Sequence, residues 1–228
     1  GEHAPGRQEP RAGLAALHHQ HLAHGLAVQE LRQRGAEKLG ITLNLTNAIP
    51  NDPSDPVDLD AARRLDAIWN RAYMDPILRG AYPADFIEDV KEYDFTSLVR
   101  DGDLAQIAQP IDFLGVNHYH DDNVSGHPLP ADHPRGKSPT PKKTSNWFVG
   151  SEHITSPTRG LPQTDMGWEI NPDGLRKLLV RLGQEYPNLP PLYITENGSA
   201  WPDVVSEDGA VHDAYRVDFL EGHLQAVA

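Results

Sequence analysis

The pattern of this 228-residue chain predicts an α/β fold in which parallel strands are joined by crossover helices. Three observations carry that expectation. Helical and strand periodicities alternate along most of the chain. The strand-like runs are short and apolar. They end in polar side chains, Asn47, Asn117 and Glu196, where a parallel β/α architecture places its chemistry.

Each element follows from its residues. Leu14, Leu17, His21, His24, Val28 and Leu31 recur at three- and four-residue steps, the spacing of a helix of roughly 20 residues that Gly35 or Gly40 ends. Ile41, Leu43, Leu45, Asn47 and Ile49 alternate with Thr42, Asn44 and Thr46 as one strand, and 51–56 is a turn-rich break. A second helix is expected over about Asp58–Leu78, with Leu65, Ile68, Trp69, Ala72 and Tyr73 on its apolar side and Gly80 and Pro83 closing it. Ile111–Asn117 reads as a buried strand followed by His118, Tyr119 and His120. The stretch 121–163 is proline-rich and unpatterned, and a connection that long in a compact domain is functional or disordered. Asn171 and Pro172 form a helix start, Asn as N-cap and Pro in the first turn, ahead of an apolar face of Leu175, Leu178, Leu179 and Leu182. Leu192–Thr195 is a third buried-looking strand, and it ends on the carboxylate of Glu196. The last helix starts near Asp213, with Val217, Leu220 and Leu224 on one side.

Composition excludes several classes. The formal net charge of −13 argues against a nucleic-acid surface, and the Pro141-Lys142-Lys143 cluster reads as solvated loop. With no cysteine there is neither a disulfide nor a thiolate metal site. No run approaches the roughly 18 apolar residues of a membrane helix. His18, His21 and His24 share a helical stripe with His19 beside it, but no acidic ligand accompanies them. They read as packed or surface histidines, with His24 buried and hydrogen-bonded, and no metal is expected. Both ends read as interior sequence, a loop at Gly1–Gly6 and an uncapped helix at Ala214–Ala228. Residues 1–228 therefore read as a piece of something longer. That leaves the compartment open, with the acidic, cysteine-free composition leaning towards cytoplasm. The sequon beside Glu196, Asn197-Gly198-Ser199, reads as coincidence.

Six motifs carry a resemblance. I-T-E-N-G at Ile194–Gly198 resembles the nucleophile signature of family-one glycoside hydrolases, the retaining β-glucosidases. D-F-L-G-V-N-H-Y at Asp112–Tyr119 is similar to the sixth barrel strand of that family. T-D-M-G-W-E-I-N-P-D-G-L at Thr164–Leu175 is similar to the segment entering its sixth helix. H-A-P-G at His3–Gly6 with A-H-G-L-A-V at Ala23–Val28 resembles the region after its fourth strand, and Asp213–Leu224 its seventh helix. The motifs keep the family order. His118 stands where the family often has tyrosine.

The resemblance implies a partial (β/α)8 TIM barrel, strands five to seven with their helices and a long active-site loop. It implies a retaining β-glucosidase acting on β-glucosides such as cellobiose, without cofactor. Such an enzyme needs two carboxyl groups about 5–5.5 Å apart, one as acid/base and one as nucleophile. The match makes Glu196 the nucleophile and Tyr119 the phenol that supports it. It puts Asn117 in the sugar subsite and makes Trp168 an aromatic platform on the aglycone side. Glu169 reads as a helix-entry residue. The family's acid/base, in an Asn-Glu-Pro motif ending strand four, and its eighth-strand sugar contacts have no counterpart here, so the 228 residues alone are expected to be inactive. A sugar-binding relative without catalysis, or a galactosidase, 6-phosphoglycosidase or thioglucosidase, would carry the same motifs.

Overall fold

Residues 6–129 and 149–228 are described by the computed structural model; His3–Pro5, the Lys142-Lys143 cluster and part of the long loop lie outside them. In chain order the elements are α1 (Pro10–Gln33), β1 (Gly40–Asn44), β2 (Ala48–Pro50), α2 (Pro56–Asp66), a π turn (Ala67–Arg71), α3 (Ala72–Leu78), α4 (Ala84–Asp89), α5 (Asp103–Ile107), β3 (Phe113–Asn117), β4 (Asp122–Val124), α6 (Pro172–Glu185), β5 (Leu192–Glu196) and α7 (Ala214–Val227). The sheet β1-β3-β5 is parallel throughout, and β2 pairs with β4 in a second parallel ladder. Parallel neighbours require crossovers, which the intervening helices supply.

Two elements read as continuous are broken. The expected strand 41–49 is two strands, because the backbone leaves the first ladder at 45–47. There Leu45 N–H donates to the Asn117 carbonyl (2.9 Å) and Thr46 N–H to Asn70 Oδ1 (3.1 Å) before β2 joins β4. The expected helix 58–78 has three parts. Ala72 N–H reaches back to the Ala67 carbonyl, one residue further than an α-helix allows. Pro76, which has no N–H to donate, sits in α3. The sequence signalled nothing over 84–107. That stretch folds as α4, two 3₁₀ turns and α5, each too short to show a period.

Sheet and helices share one core. Leu43, Leu114 and Val116 of the sheet pack with Met74 of α3 and Leu178 and Leu182 of α6. A second cluster joins Leu14 and Leu17 of α1 to Ile68, Tyr82, Phe86 and Phe95. Gly25 is where α1 crosses α5. A Cβ there would lie 2.0 Å from the Gln106 carbonyl oxygen, so only glycine allows that approach.

Two surfaces lie open in the 228 residues. β5, which read as a buried strand, pairs among the described residues on one side only, with β3, and Tyr193, Thr195 and Glu196 are exposed. In α7 the apolar side is exposed too, with Val217 at 61%, Leu220 at 41% and Leu224 at 70%. α7 lies along α6 instead through Phe219, His223 and Gly222, whose Cα approaches Pro172.

The histidine stripe is structural. His18 Nδ1 and His21 Nδ1 converge on the Tyr82 hydroxyl at 3.0 and 3.1 Å, and His18 Nε2 meets Asp103 at 3.0 Å. His24, contrary to expectation, is half-buried, and its Nε2 finds no partner among the described residues. Burial, then the nearby His18 and His24, pulls His21 from its ordinary 6.5 to about 4. The unfolded chain binds a proton that folded His21 refuses. Its contribution to stability is therefore complete above about pH 6.5 and declines as pH falls towards 4. Urea unfolding at pH 7.5 and 5 should show a smaller loss on acidification in His21→Asn than in the parent protein.

Candidate active site

Parallel strands deliver their carboxyl ends to one edge. Asn44 of β1 lies opposite Asn117 of β3, and Asn117 lies opposite Glu196 of β5. The last pairing is irregular: Val116 faces Ile194, so Thr195 is the extra residue and Glu196 is brought level with Asn117. Such a bulge re-aims the side chains beside it. Thr195 Oγ1 donates to Asn117 Oδ1 at 2.7 Å, His118 N–H to the Glu196 carbonyl at 3.0 Å, and Asn197 Nδ2 to the His118 carbonyl at 2.9 Å.

The Tyr119 hydroxyl donates to Glu196 Oε2. That bond, followed by burial and the carboxylate's charge, pushes the phenol up to about 12, so Tyr119 stays a protonated donor across the neutral range. Glu196 is exposed to solvent, while Asn117 is buried at 8%. His118 is fully enclosed. Its Nδ1–H donates to the Leu45 carbonyl at 3.0 Å, and burial holds its pKa low, so it is a neutral brace under the Tyr119 backbone.

Beside this pair the Trp168 ring lies 5.4 Å from Tyr119 and 4.9 Å from His120, tilted against both. A cleft of about 290 Å³ opens here, lined by Asn117, Tyr119 and Trp168 and by Leu65, Trp69 and Ile154. Glu196 is not in its lining; Tyr119 connects the two. All four residues singled out in the sequence, Glu196, Tyr119, Asn117 and Trp168, thus gather at one strand edge.

A buried polar network fixes the loops that carry them. The Asp121 carboxylate is fully enclosed and accepts from Asn47 Nδ2 (2.7 Å) and Asn171 Nδ2 (2.6 Å), with Arg159 at 3.4 Å. Asn47 also donates to the Gly174 carbonyl at 2.8 Å. A Cβ at Gly174 would fall 2.4 Å from Asp121 Oδ1. Glu169, next to Trp168, accepts from Thr158 Oγ1, Arg159 N–H, Arg159 Nε–H and Gly160 N–H at 2.6 to 3.0 Å. Hydrogen bonds from Thr158 and Arg159 outweigh its burial and keep its pKa low. Glu169 is therefore an ionised loop anchor. Asn171 corrects an expectation: it precedes α6 but makes no side-chain cap, because its amide is turned to Asp121. Sequence reading missed Asp121 and Arg159 because both fall in the unpatterned stretch. The only hint was the position of Asp121 directly after the aromatic strand end.

One further acidic group, Asp55, Asp58 and His127, lies close together. His127 Nε2 meets Asp55 at 2.7 Å, while Asp58 accepts from Ser125, Gly126 and Asp52. The trio closes the start of α2.

Comparison with known proteins places this geometry. The glycosyl hydrolase family 1 model matches residues 1–228. A bifunctional beta-D-glucosidase/beta-D-fucosidase of Bifidobacterium breve is 41% identical over 99% of this chain and 47% of its own length. The crystal structure of the psychrophilic beta-glucosidase BglU of Micrococcus antarcticus superposes with a TM-score of 0.95 at 64% identity. It covers 99% of this chain and 48% of that one. A Thermotoga maritima beta-glucosidase in complex with glucoimidazole gives a TM-score of 0.80 at 33% identity, over 99% and 46%. The chain therefore spans about half the length of the relatives it matches, as an α/β unit of parallel strands. It belongs to glycosyl hydrolase family 1.

Removing the Asp121 carboxylate takes an acceptor from the half-buried amides of Asn47 and Asn171 and an ion-pair partner from Arg159, which keeps Glu169. Asp121→Ala should cost about 3–5 kcal/mol. Asp121→Asn, which keeps the shape but loses the charge, should cost less. Chemical denaturation of the two variants beside the parent measures both.

Proposed function

From membership of glycosyl hydrolase family 1 we propose that this chain carries the nucleophile half of a retaining β-glucosidase active site, with Glu196 as the nucleophile. One observation carries the reading: the Tyr119 hydroxyl donates to the carboxylate of Glu196 at the carboxyl edge of adjacent parallel strands.

The chemistry follows from that contact. A carboxylate attacks only when ionised, and the Tyr119 hydroxyl holds one oxygen of Glu196 in place. One oxygen of Glu196 forms a bond to the anomeric carbon as the bond from that carbon to the leaving oxygen breaks. The general acid protonates the departing oxygen. Water, deprotonated by the same group, then releases the sugar, and the second inversion restores the starting configuration. Tyr119 holds Glu196 in line, and the bulge at Thr195 sets the strand-end position from which it attacks. Asn117, pinned by Thr195 Oγ1, keeps its amide donors for a sugar hydroxyl. Trp168 offers a ring face to the leaving group, the usual way an aromatic side chain meets the apolar side of a sugar. The 228 residues correspond to strands five to seven of a single (β/α)8 domain. The acid/base glutamate of the Asn-Glu-Pro motif belongs to the part of the relatives' length that they do not span. β-Glucosides, including cellobiose and aryl glucosides, are the substrates. The Thermotoga maritima relative bound to glucoimidazole supports a glucose-shaped subsite.

In the full-length protein, a 2-deoxy-2-fluoro-β-glucoside should trap a covalent adduct on the peptide containing Glu196. Label on any other carboxylate would overturn the assignment. Glu196→Ala should lower turnover of an aryl β-glucoside by at least about 10⁴-fold, and azide should restore it as the α-glycosyl azide. Tyr119→Phe leaves the carboxylate but removes its donor. It should lower kcat by about 10- to 100-fold, with a smaller effect on KM. The 228 residues alone should show no turnover.

A further inference from the structure

Asn117, Tyr119 and Trp168 account for one part of the cleft lining; another part comes from elements that the proposed chemistry does not use. Leu65 of α2, Val124 of β4 and Ile154 line it and are 7%, 0% and 6% exposed, so this part is an apolar wall built into the core. Trp69 is half-buried, packs on the same cluster and lines the same space. Polar groups share the lining, Asn44, His120, Asp122, Ser151 and Ser156 among them, and Thr46 Oγ1 donates to the His120 carbonyl at 2.9 Å. An apolar wall with one wide aromatic face suits a flat, uncharged group.

The backbone explains how Trp69 comes to be there. Leu65 and Trp69 are four residues apart and share a helical face. Ala67, Ile68 and Ala72 belong to the core cluster on α1. The π turn Ala67–Arg71 inserts one extra residue at this point. The cleft-lining and core-packing side chains are thereby separated, which is the usual place for such a turn at a functional site.

We propose that Trp69 is a specificity-determining residue that holds the leaving group of the substrate and favours flat aryl aglycones over small ones. The inference rests on the reading of Glu196 as a glycosidase nucleophile. The aglycone departs in the first step, so only formation of the glycosyl-enzyme senses Trp69; its hydrolysis does not.

The test compares wild type, Trp69→Ala and Trp69→Phe in the full-length protein on three substrates. These are 4-nitrophenyl β-glucoside, methyl β-glucoside and β-glucosyl fluoride, whose fluoride is too small to reach the wall. Trp69→Ala should lower kcat/KM for the nitrophenyl glucoside by about 3- to 10-fold, the size of one aromatic contact. Its turnover of glucosyl fluoride should stay within about twofold of wild type, which also reports an intact fold. Trp69→Phe should recover most of the loss. Equal losses on all three substrates would make Trp69 a packing residue only and overturn the inference, as would no loss on any. If wild type turns over none of them, the glycosidase reading fails and takes this inference with it. If wild type is active and Trp69→Ala does not discriminate, this inference alone fails.

Discussion

The buried carboxylate of Asp121 is the constraint on which the site depends. Isolated in a core, a charged group costs several kcal/mol, and it is held there only by partners that meet it in fixed geometry. Those partners come from four places: Asn47 after β1, Arg159 in the long loop, Asn171 at the entry to α6, and Gly174 one turn later, whose missing side chain leaves the space. None can shift without exposing the charge to an unpaired environment. Asp121 directly follows His120 and lies two residues past Tyr119, so the same anchor fixes the strand end that carries the phenol. Through Arg159 and Glu169 the network extends to the residue beside Trp168. The aromatic face and the phenol are thus held by one set of hydrogen bonds.

The sheet supplies a second, independent constraint. Parallel register puts β1, β3 and β5 ends at one edge, but register alone would bring Thr195 opposite Asn117. The bulge in β5 consumes that residue and brings Glu196 level instead. Tyr119 gives Glu196 a hydrogen-bond donor that stays protonated at neutral pH.

Charge is distributed differently in the rest of the molecule. The His18-Tyr82-His21 cluster is built into the α1 packing. His118 does similar service under the active edge, with one ring nitrogen tied to the Leu45 carbonyl. His21 and His118 pack as polar core pieces, and their low pKa values follow first from enclosure.

By itself the sequence determined the α/β class, the order of the main helices and strands, the family, and the four residues that meet at the strand edge. Each of these is local. Periodicity reports which side of an element is apolar, and short motifs such as Ile194–Gly198 or Asp112–Tyr119 keep their chemistry within a few residues. The tertiary structure decided what depends on distant neighbours. The split of 41–49 into two ladders follows from hydrogen bonds to Asn117 and Asn70, and no pattern within the segment records them. Val217, Leu220 and Leu224 mark one apolar side of α7, but only the packing of Phe219 and His223 shows which side meets α6. Asn171 looked like a cap because local propensity favours it, but a buried carboxylate 50 residues away claimed its amide. Asp121 carried only the hint of its place after the aromatic strand end and Arg159 none, since a charged residue in an irregular stretch is ordinary until the fold encloses it.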